Sequence, residues 1–317
     1  MPMTTRKPQH ATYVALIGAA NLDISAQSQA PALPGDSNPG RIHCSPGGVA
    51  RNVAENLLRL GLNARLFSVL GDDVFGAVLR QSALAIGLDL GACATLTGQR
   101  TATYLSLHGT DGDMGVAVND MGILEQLTPA RLAPYAPVLA GAAALVVDSN
   151  LRPDLLAWLC APGRVVFAEA VSVAKCGKLL PVLHLLHTLK ANRMEAQALC
   201  GQPITSVASA QAAALQLHQR GVQQVVISLG AEGAAWCDAQ GTTGHRRAQT
   251  SRMASATGAG DALLSGLVYG HLRAMPLDLS VRFAMACAEL TLSSTFANSP
   301  DLSVAAVHAH LEAEKHE

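Results

Sequence analysis

Ala256-Thr257-Gly258-Ala259-Gly260-Asp261-Ala262-Leu263-Leu264-Ser265-Gly266 is the stretch from which the rest of the chain can be read. Two glycines flank an alanine, an aspartate follows, and an apolar helical pattern begins. Glycine lets backbone N–H groups turn toward one point and lets a ligand come close. The helix behind them adds the positive end of its dipole. Together they form an anion hole suited to a phosphate, or to charge developing on one. A carboxylate at its mouth, Asp261, is placed to take a proton from a hydroxyl attacking that phosphate. The same residues also read as a glycine turn and a helix N-cap. At this point both readings stand.

Working outward, apolar runs alternate with helical patterns. Residues 13–19, 64–70, 144–147, 165–168, 185–189 and 225–229 read as buried strands. Helices are expected at 49–60, 74–86, 153–160, 208–220, 280–292 and behind Gly260. This alternation predicts an α/β fold with a mostly parallel central sheet covered on both faces. Polar residues recur where strands end: Asn21 and Asp23, Asp148, Glu169, Lys190 and Asn192, and Ser228. Such sheets bind ligands outside the carboxyl ends of their strands. For Asn21 and Asp23, turn chemistry is the competing reading. Residues 25–45 read as loop with short strands, and 101–107 with 114–118 as a hairpin. Their better alternation predicts a small sheet exposed on one face. It would serve as a lid, with segments near 23–45 and 98–121.

Composition excludes several classes. The chain has 317 residues, half of them hydrophobic, and a formal net charge of -1. That supports a large core and argues against a nucleic-acid-coating surface. The seven cysteines are scattered and form no C-x-x-C pair, so neither a disulfide framework nor a zinc site is expected. No apolar run suits a membrane span. Residues 1–12 read as a flexible polar tail without a secretory signal, and 13–317 as one domain. A reducing cytoplasm fits this usage.

There is no G-x-x-x-x-G-K-[ST] run and no G-x-G-x-x-G between strand and helix. Instead the chain carries Gly47-Gly48 before a helix with Asn52 one turn in, then Asn192-x-x-Glu195, then Ser228-Leu229-Gly230-Ala231-Glu232-Gly233, then Thr257-Gly258-Ala259-Gly260-Asp261. This ordered set resembles the ribokinase-like (PfkB) carbohydrate kinases over essentially the whole length. Asp36-Ser37-Asn38-Pro39-Gly40, the run from Pro46 through Leu57, Val118-Asn119-Asp120-Met121 and Asn298-Ser299-Pro300-Asp301-Leu302-Ser303 are similar to the pseudouridine kinases of that family.

The resemblance implies a three-layer sandwich with a β-sheet lid, and ATP-dependent phosphorylation of a nucleoside at the ribose 5′-hydroxyl. It implies that Asp23, Gly48 and Asn52 hold the ribose hydroxyls and that Asp261 is the base. Gly258, Ala259 and Gly260 would stabilise the transferring phosphoryl group. Lys190, Asn192, Ser228, Gly230, Gly233 and Thr257 would line the ATP side. Asn192 and Glu195 would organise Mg²⁺ through water. Asn38, Asn119 and Asp120 are candidates for the uracil edge, with a hairpin-end turn as the competing reading. K⁺ is implied near the loop of Asn298 and Ser303, and a homodimer through the lid. The chain departs from the pattern at Ser255, Glu169 and Ala191, where the family carries Asp, Asp and Pro. Kinases for uridine or ribose, and a non-catalytic nucleoside-binding regulator, remain the alternatives.

Overall fold

The computed structural model describes residues 12–110, 114–249, 258–294 and 296–313. The tail of residues 1–11, Ser255 and Thr257 lie outside the described residues.

The chain opens with β1 (Tyr13–Ile17), whose alternate residues feed two cores: Ala15 and Ile17 one, Val14 and Leu16 the other. A strand buried on both faces reads as an unbroken apolar run, and this one does. Next come β2 (Asn21–Ser28), β3 (Gly40–Gly47), α1 (Val49–Arg59), β4 (Asn63–Phe67), β5 (Val69–Gly71) and α2 (Val74–Ala85). β6 (Ala94–Leu96), β7 (Thr103–His108) and β8 (Met114–Asp120) follow, then the short α3 (Pro129–Leu132) and α4 (Ala136–Ala140). The second half carries β9 (Ala144–Asp148), α5 (Pro153–Leu159), β10 (Val166–Glu169), α6 (Val173–Cys176), β11 (Thr188–Asn192), α7 (Arg193–Cys200) and α8 (Val207–Gln219). It closes with β12 (Gln224–Ser228), β13 (Ala234–Cys237), β14 (Thr243–Arg246), α9 (Ala259–Leu272), α10 (Leu277–Leu292) and α11 (Val304–Ala313).

The main sheet has eight strands in the order β14-β13-β12-β11-β10-β9-β1-β4. β4 to β12 run parallel, and β13 and β14 add an antiparallel edge. Residues of α5, α7 and α8 fill one core; residues of α1, α2, α9 and α10 fill the other. This is the expected three-layer α/β sandwich. Among the described residues no helix is long and apolar enough to cross a membrane.

A second sheet, β3-β2-β7-β8, stands beside the first. Its register puts Ser45, Asp23, Tyr104 and Asn119 in one row across the strands. The next residues along each strand face the other way. There Cys44, Ile24, Leu105 and Val118 form one row, and Ile42, Ala26, Leu107 and Val116 another. One face is therefore polar and the other apolar. The apolar face is open: Ile42 is 73% exposed and Val118 61%.

Three expectations need correction. Residues 64–70 form two strands, β4 in the main sheet and β5 paired with β6, rather than one. β11 begins at Thr188, three residues later than expected, because the apolar run before it winds into a 3₁₀ helix, Gly177–Leu185. Segment 25–45 holds the long β2 and β3 rather than short strands in a loop, since cross-strand pairing outweighs their poor local propensity.

Candidate active site

The site is built where β1, β9, β10 and β11 end and α1 and α9 begin. Both helices start on glycine in the left-handed region, Gly48 at φ 97° and Gly258 at φ 83°, with no side chain capping the first turn. A Cβ at Gly48 would overlap the Ala19 carbonyl, and one at Gly258 the Ala297 carbonyl. The positive φ and the close approach both demand glycine there. The result is a pair of helix N-termini with amides available to an anion.

Asp261 is the third residue of α9. Its Oδ2 accepts a hydrogen bond from Asn52 Nδ2 at 2.9 Å. Burial pushes its pKa up to about 6, and nearby Asp148 and Asp23 push the same way. The Asn52 hydrogen bond and Lys190 pull it back. A carboxylate poised just below neutrality is mostly ionised at pH 7 and still a competent proton acceptor.

Asp23 stands on the polar face of the small sheet. Asn21 Nδ2 donates to its Oδ1 at 2.6 Å, and burial lifts its pKa to about 6 against the pull of Asn21 and Arg51. Tyr104 and Asn119 share its row, so the structure brings Asn119 to this side. Asp120 lies on the opposite face and pairs with Arg100 at 3.3 Å. Asn38 is not brought to the crevice. Its side chain closes a surface turn onto Leu33 and Asp36, beyond the Ser28 end of β2. Ser28 lies five residues, roughly 17 Å, along the strand from Asp23.

On the other side, Lys190 and Glu169 are neighbours in register on β11 and β10 and pair at 3.0 Å, both buried. Burial opposes the charge on Lys190. The carboxylates of Glu169, Glu195 and Asp261 outweigh it and hold the ammonium above its ordinary pKa. A Cβ on Gly260 would lie 2.7 Å from Lys190 Nζ, so the cation sits directly under the glycine run. Asn192 and Glu195 form a capping box at the start of α7. Glu195 N donates to Asn192 Oδ1 at 2.9 Å, and Glu195 Oε2 accepts Asn192 N at 2.7 Å. Ser228 pairs with Asn192 in register. Gly230 (φ 63°) and Gly233 (φ 91°) then turn β12 into β13.

Among the described residues no three His, Cys, Asp or Glu side chains converge as a metal cluster. The donor chemistry nonetheless suits one hydrated Mg²⁺. Glu195 and Asn192 offer hard oxygens with spare lone pairs, and Glu169 Oε2 is a buried oxygen without a partner.

Three residues beside the site, Arg51, Glu55 and Arg59, were not singled out by sequence reasoning, and Asp148 was read there only as a polar strand end with no role. Asp148 accepts the backbone N–H groups of Ala19 and Asn150 at 2.8 and 2.9 Å. Its position at a strand end was the available signal. Arg51, Glu55 and Arg59 form an ion-paired ladder along α1, visible in sequence as successive i, i+4 spacings of opposite charge.

The comparisons with known proteins give the family. The model of the pfkB family carbohydrate kinases matches residues 11–303. The pseudouridine kinase of Escherichia coli K12 is 38% identical over 302 residues, covering 95% of this chain and 96% of its own. The sugar kinase YeiI of the same organism is also 38% identical, covering 92% of this chain and 81% of its own. A ribokinase of Arabidopsis thaliana, solved with ribose and ATP, superposes with a TM-score of 0.83 at 19% identity, covering 95% of this chain and 99% of its own. This chain belongs to the pfkB family of carbohydrate kinases and is a phosphotransferase of that family.

Proposed function

We propose that the protein transfers the γ-phosphoryl group of ATP to the ribose 5′-hydroxyl of pseudouridine. The observation that carries this reading is Asp261, fixed by Asn52 at the open N-terminus of α9 and facing the polar side of the small sheet.

Asp23, Gly48 and Asn52 hold the ribose hydroxyls, and the small sheet closes over the nucleoside with Asn119 beside Asp23. Asn38 and Asp120 reach the base only if the sheet shifts as it closes. Asp261 takes the 5′-hydroxyl proton as the oxygen attacks the γ-phosphorus. The bond to the β,γ-bridging oxygen breaks, and ADP leaves. The amides of Gly258, Ala259 and Gly260 receive the charge on the transferring group, and Lys190 adds its cation from below. Ser228, Gly230 and Gly233 border the nucleotide. Asn192 and Glu195 would hold Mg²⁺ through water, which supplies charge neutralisation for the phosphates. A monovalent cation near the loop of Asn298 and Ser303 stays part of the reading: Asn298 Oδ1 is buried without a partner, and Ser303 Oγ, which accepts from Ala306 N, keeps a second lone pair. No step is drawn through such an ion.

A second reading keeps the chemistry and changes the acceptor, because the pseudouridine kinase and the sugar kinase YeiI are equally similar in identity. ATP consumption with Mg²⁺, across pseudouridine, uridine, ribose, adenosine and fructose, decides between them. Strong preference for pseudouridine supports the proposal; preference for another acceptor replaces the substrate.

A second copy related by a two-fold axis would cover the open apolar rows of the small sheet. Homodimerisation there is part of the proposal. Sedimentation of Ile42→Lys as a monomer beside a dimeric parent checks it.

A further inference from the structure

Asp261 is tied to the rest of the protein by a chain of amides whose direction is fixed at the far end. Glu55 pairs with Arg51 at 3.0 Å and with Arg59 at 2.7 Å. A carboxylate held by two guanidinium groups only accepts hydrogen bonds. Asn298 must therefore turn its Nδ2 to Glu55 Oε2, at 3.1 Å. The same Nδ2 reaches Asn52 Oδ1 at 3.1 Å. With its oxygen so engaged, Asn52 presents Nδ2 to Asp261 Oδ2. Asn298 is only 8% exposed, and its Oδ1 has no partner to pull the amide the other way. The loop that carries it is pinned on both sides. The Ala297 carbonyl packs on Gly258, and the Pro300 carbonyl accepts Arg59 Nη1 at 2.8 Å.

We infer that Asn298, oriented by Glu55, is a positioning residue that sets the direction of the Asn52 amide and so aims the Asp261 carboxylate. The inference rests on the reading of Asp261 as the base. It ties the C-terminal loop, 37 residues beyond Asp261 in sequence, to the chemical step. The chain of bonds engages one oxygen of Asp261 and leaves the other outside it. The charged groups facing that carboxylate are Lys190 on β11, Asp148 on β9, Asp23 on β2 and Glu169 on β10. Asn52 supplies the donor among them.

The test compares Asn298→Asp, Asn298→Ala and Asp261→Asn, using pseudouridine and MgATP. Aspartate keeps the shape of asparagine but offers only acceptors to Asn52. It draws Asn52 Nδ2 to itself and turns Asn52 Oδ1 toward Asp261. The expected result is a fall in kcat of about 10²-fold, the scale of a misplaced catalytic group. KM for ATP stays unchanged. The acid limb of kcat moves to higher pH, because Asp261 loses the hydrogen bond that lowers its pKa. Asn298→Asp also sets a second carboxylate against Glu55, so the uncharged Asn298→Ala separates the roles: a positioning residue moves its acid limb upward, and a merely structural one leaves the limb in place. Unchanged kcat and acid limb in Asn298→Asp, beside an inactive Asp261→Asn, overturn the inference alone. Normal turnover in Asp261→Asn removes the base reading and the inference with it. Should Asn298→Asp not fold, an unmoved acid limb in Asn298→Ala overturns the inference, and an upward shift supports it.

Discussion

α7 and α9 start at the same crevice with the same spacing, an acid three residues after the N-cap, and they use it differently. In α7 the N-cap is Asn192, and Glu195 folds back onto its backbone N–H, so the helix start is self-satisfied. In α9 the N-cap is Gly258, which has no side chain to offer and leaves the first-turn amides uncapped. Asp261 is one methylene shorter than Glu195 and turns across to Asn52 instead. The lesson is that the residue at the N-cap decides whether a first-turn acid closes a helix or faces a ligand.

The sharpest way to break this contrast is to give α9 a side chain at its cap. Gly258→Ala would force a Cβ into the Ala297 carbonyl at a positive φ. The displaced amides are expected to lower kcat by roughly 10²–10³, as when an oxyanion donor is lost. Steady-state kinetics check this, and wild-type kcat would show that the amides carry no charge in the reaction.

The pH profile sharpens the comparison next. Asp261 must be ionised to act, and its pKa is raised to about 6. Activity is expected to fall as pH drops through about 6. Asp23 titrates in the same range, so the limb belongs to the pair and steepens if both must be charged. The same shift acts on stability with a definite sign. A carboxyl whose folded pKa lies above its unfolded value binds its proton more tightly when folded. It therefore costs stability progressively as pH rises from about 4 to about 6. Asp261→Asn should thus melt higher than the parent at pH 7 and equal to it near pH 3.5, as followed by thermal denaturation.

The smallest effect belongs to the closed helix. Asn192→Ala removes the cap of α7 and is expected to cost about 0.5–2 kcal/mol of stability, measured by denaturant unfolding. No loss would mean that the box is incidental to the fold.

The glycine run and the polar strand ends were legible because both obey local rules: φ above zero demands glycine, and α/β sheets gather polar groups at their carboxyl edge. Gly48, Gly258 and Asp261 stand where those rules put them. The start of β11 was not legible, because Leu185 and Leu186 are as apolar as a strand yet close a 3₁₀ turn. The β13–β14 hairpin escaped for want of length, at four residues a strand. Asn298 was marked as part of a motif, but its pairing across the fold escaped for a different reason. Its partners, Asn52 and Glu55, are 246 and 243 residues away, and nothing local marks the pairing. Asn38 shows the converse. Its turn was readable, but the structure spends its side chain on that turn.

The central claim is that the α9 acid performs proton transfer rather than capping. The most direct measurement is calorimetric pseudouridine binding and steady-state turnover on Asp261→Asn beside the parent. The account predicts retained nucleoside affinity with turnover lowered by roughly 10²–10⁴. Near-normal turnover in a variant that binds nucleoside would contradict it.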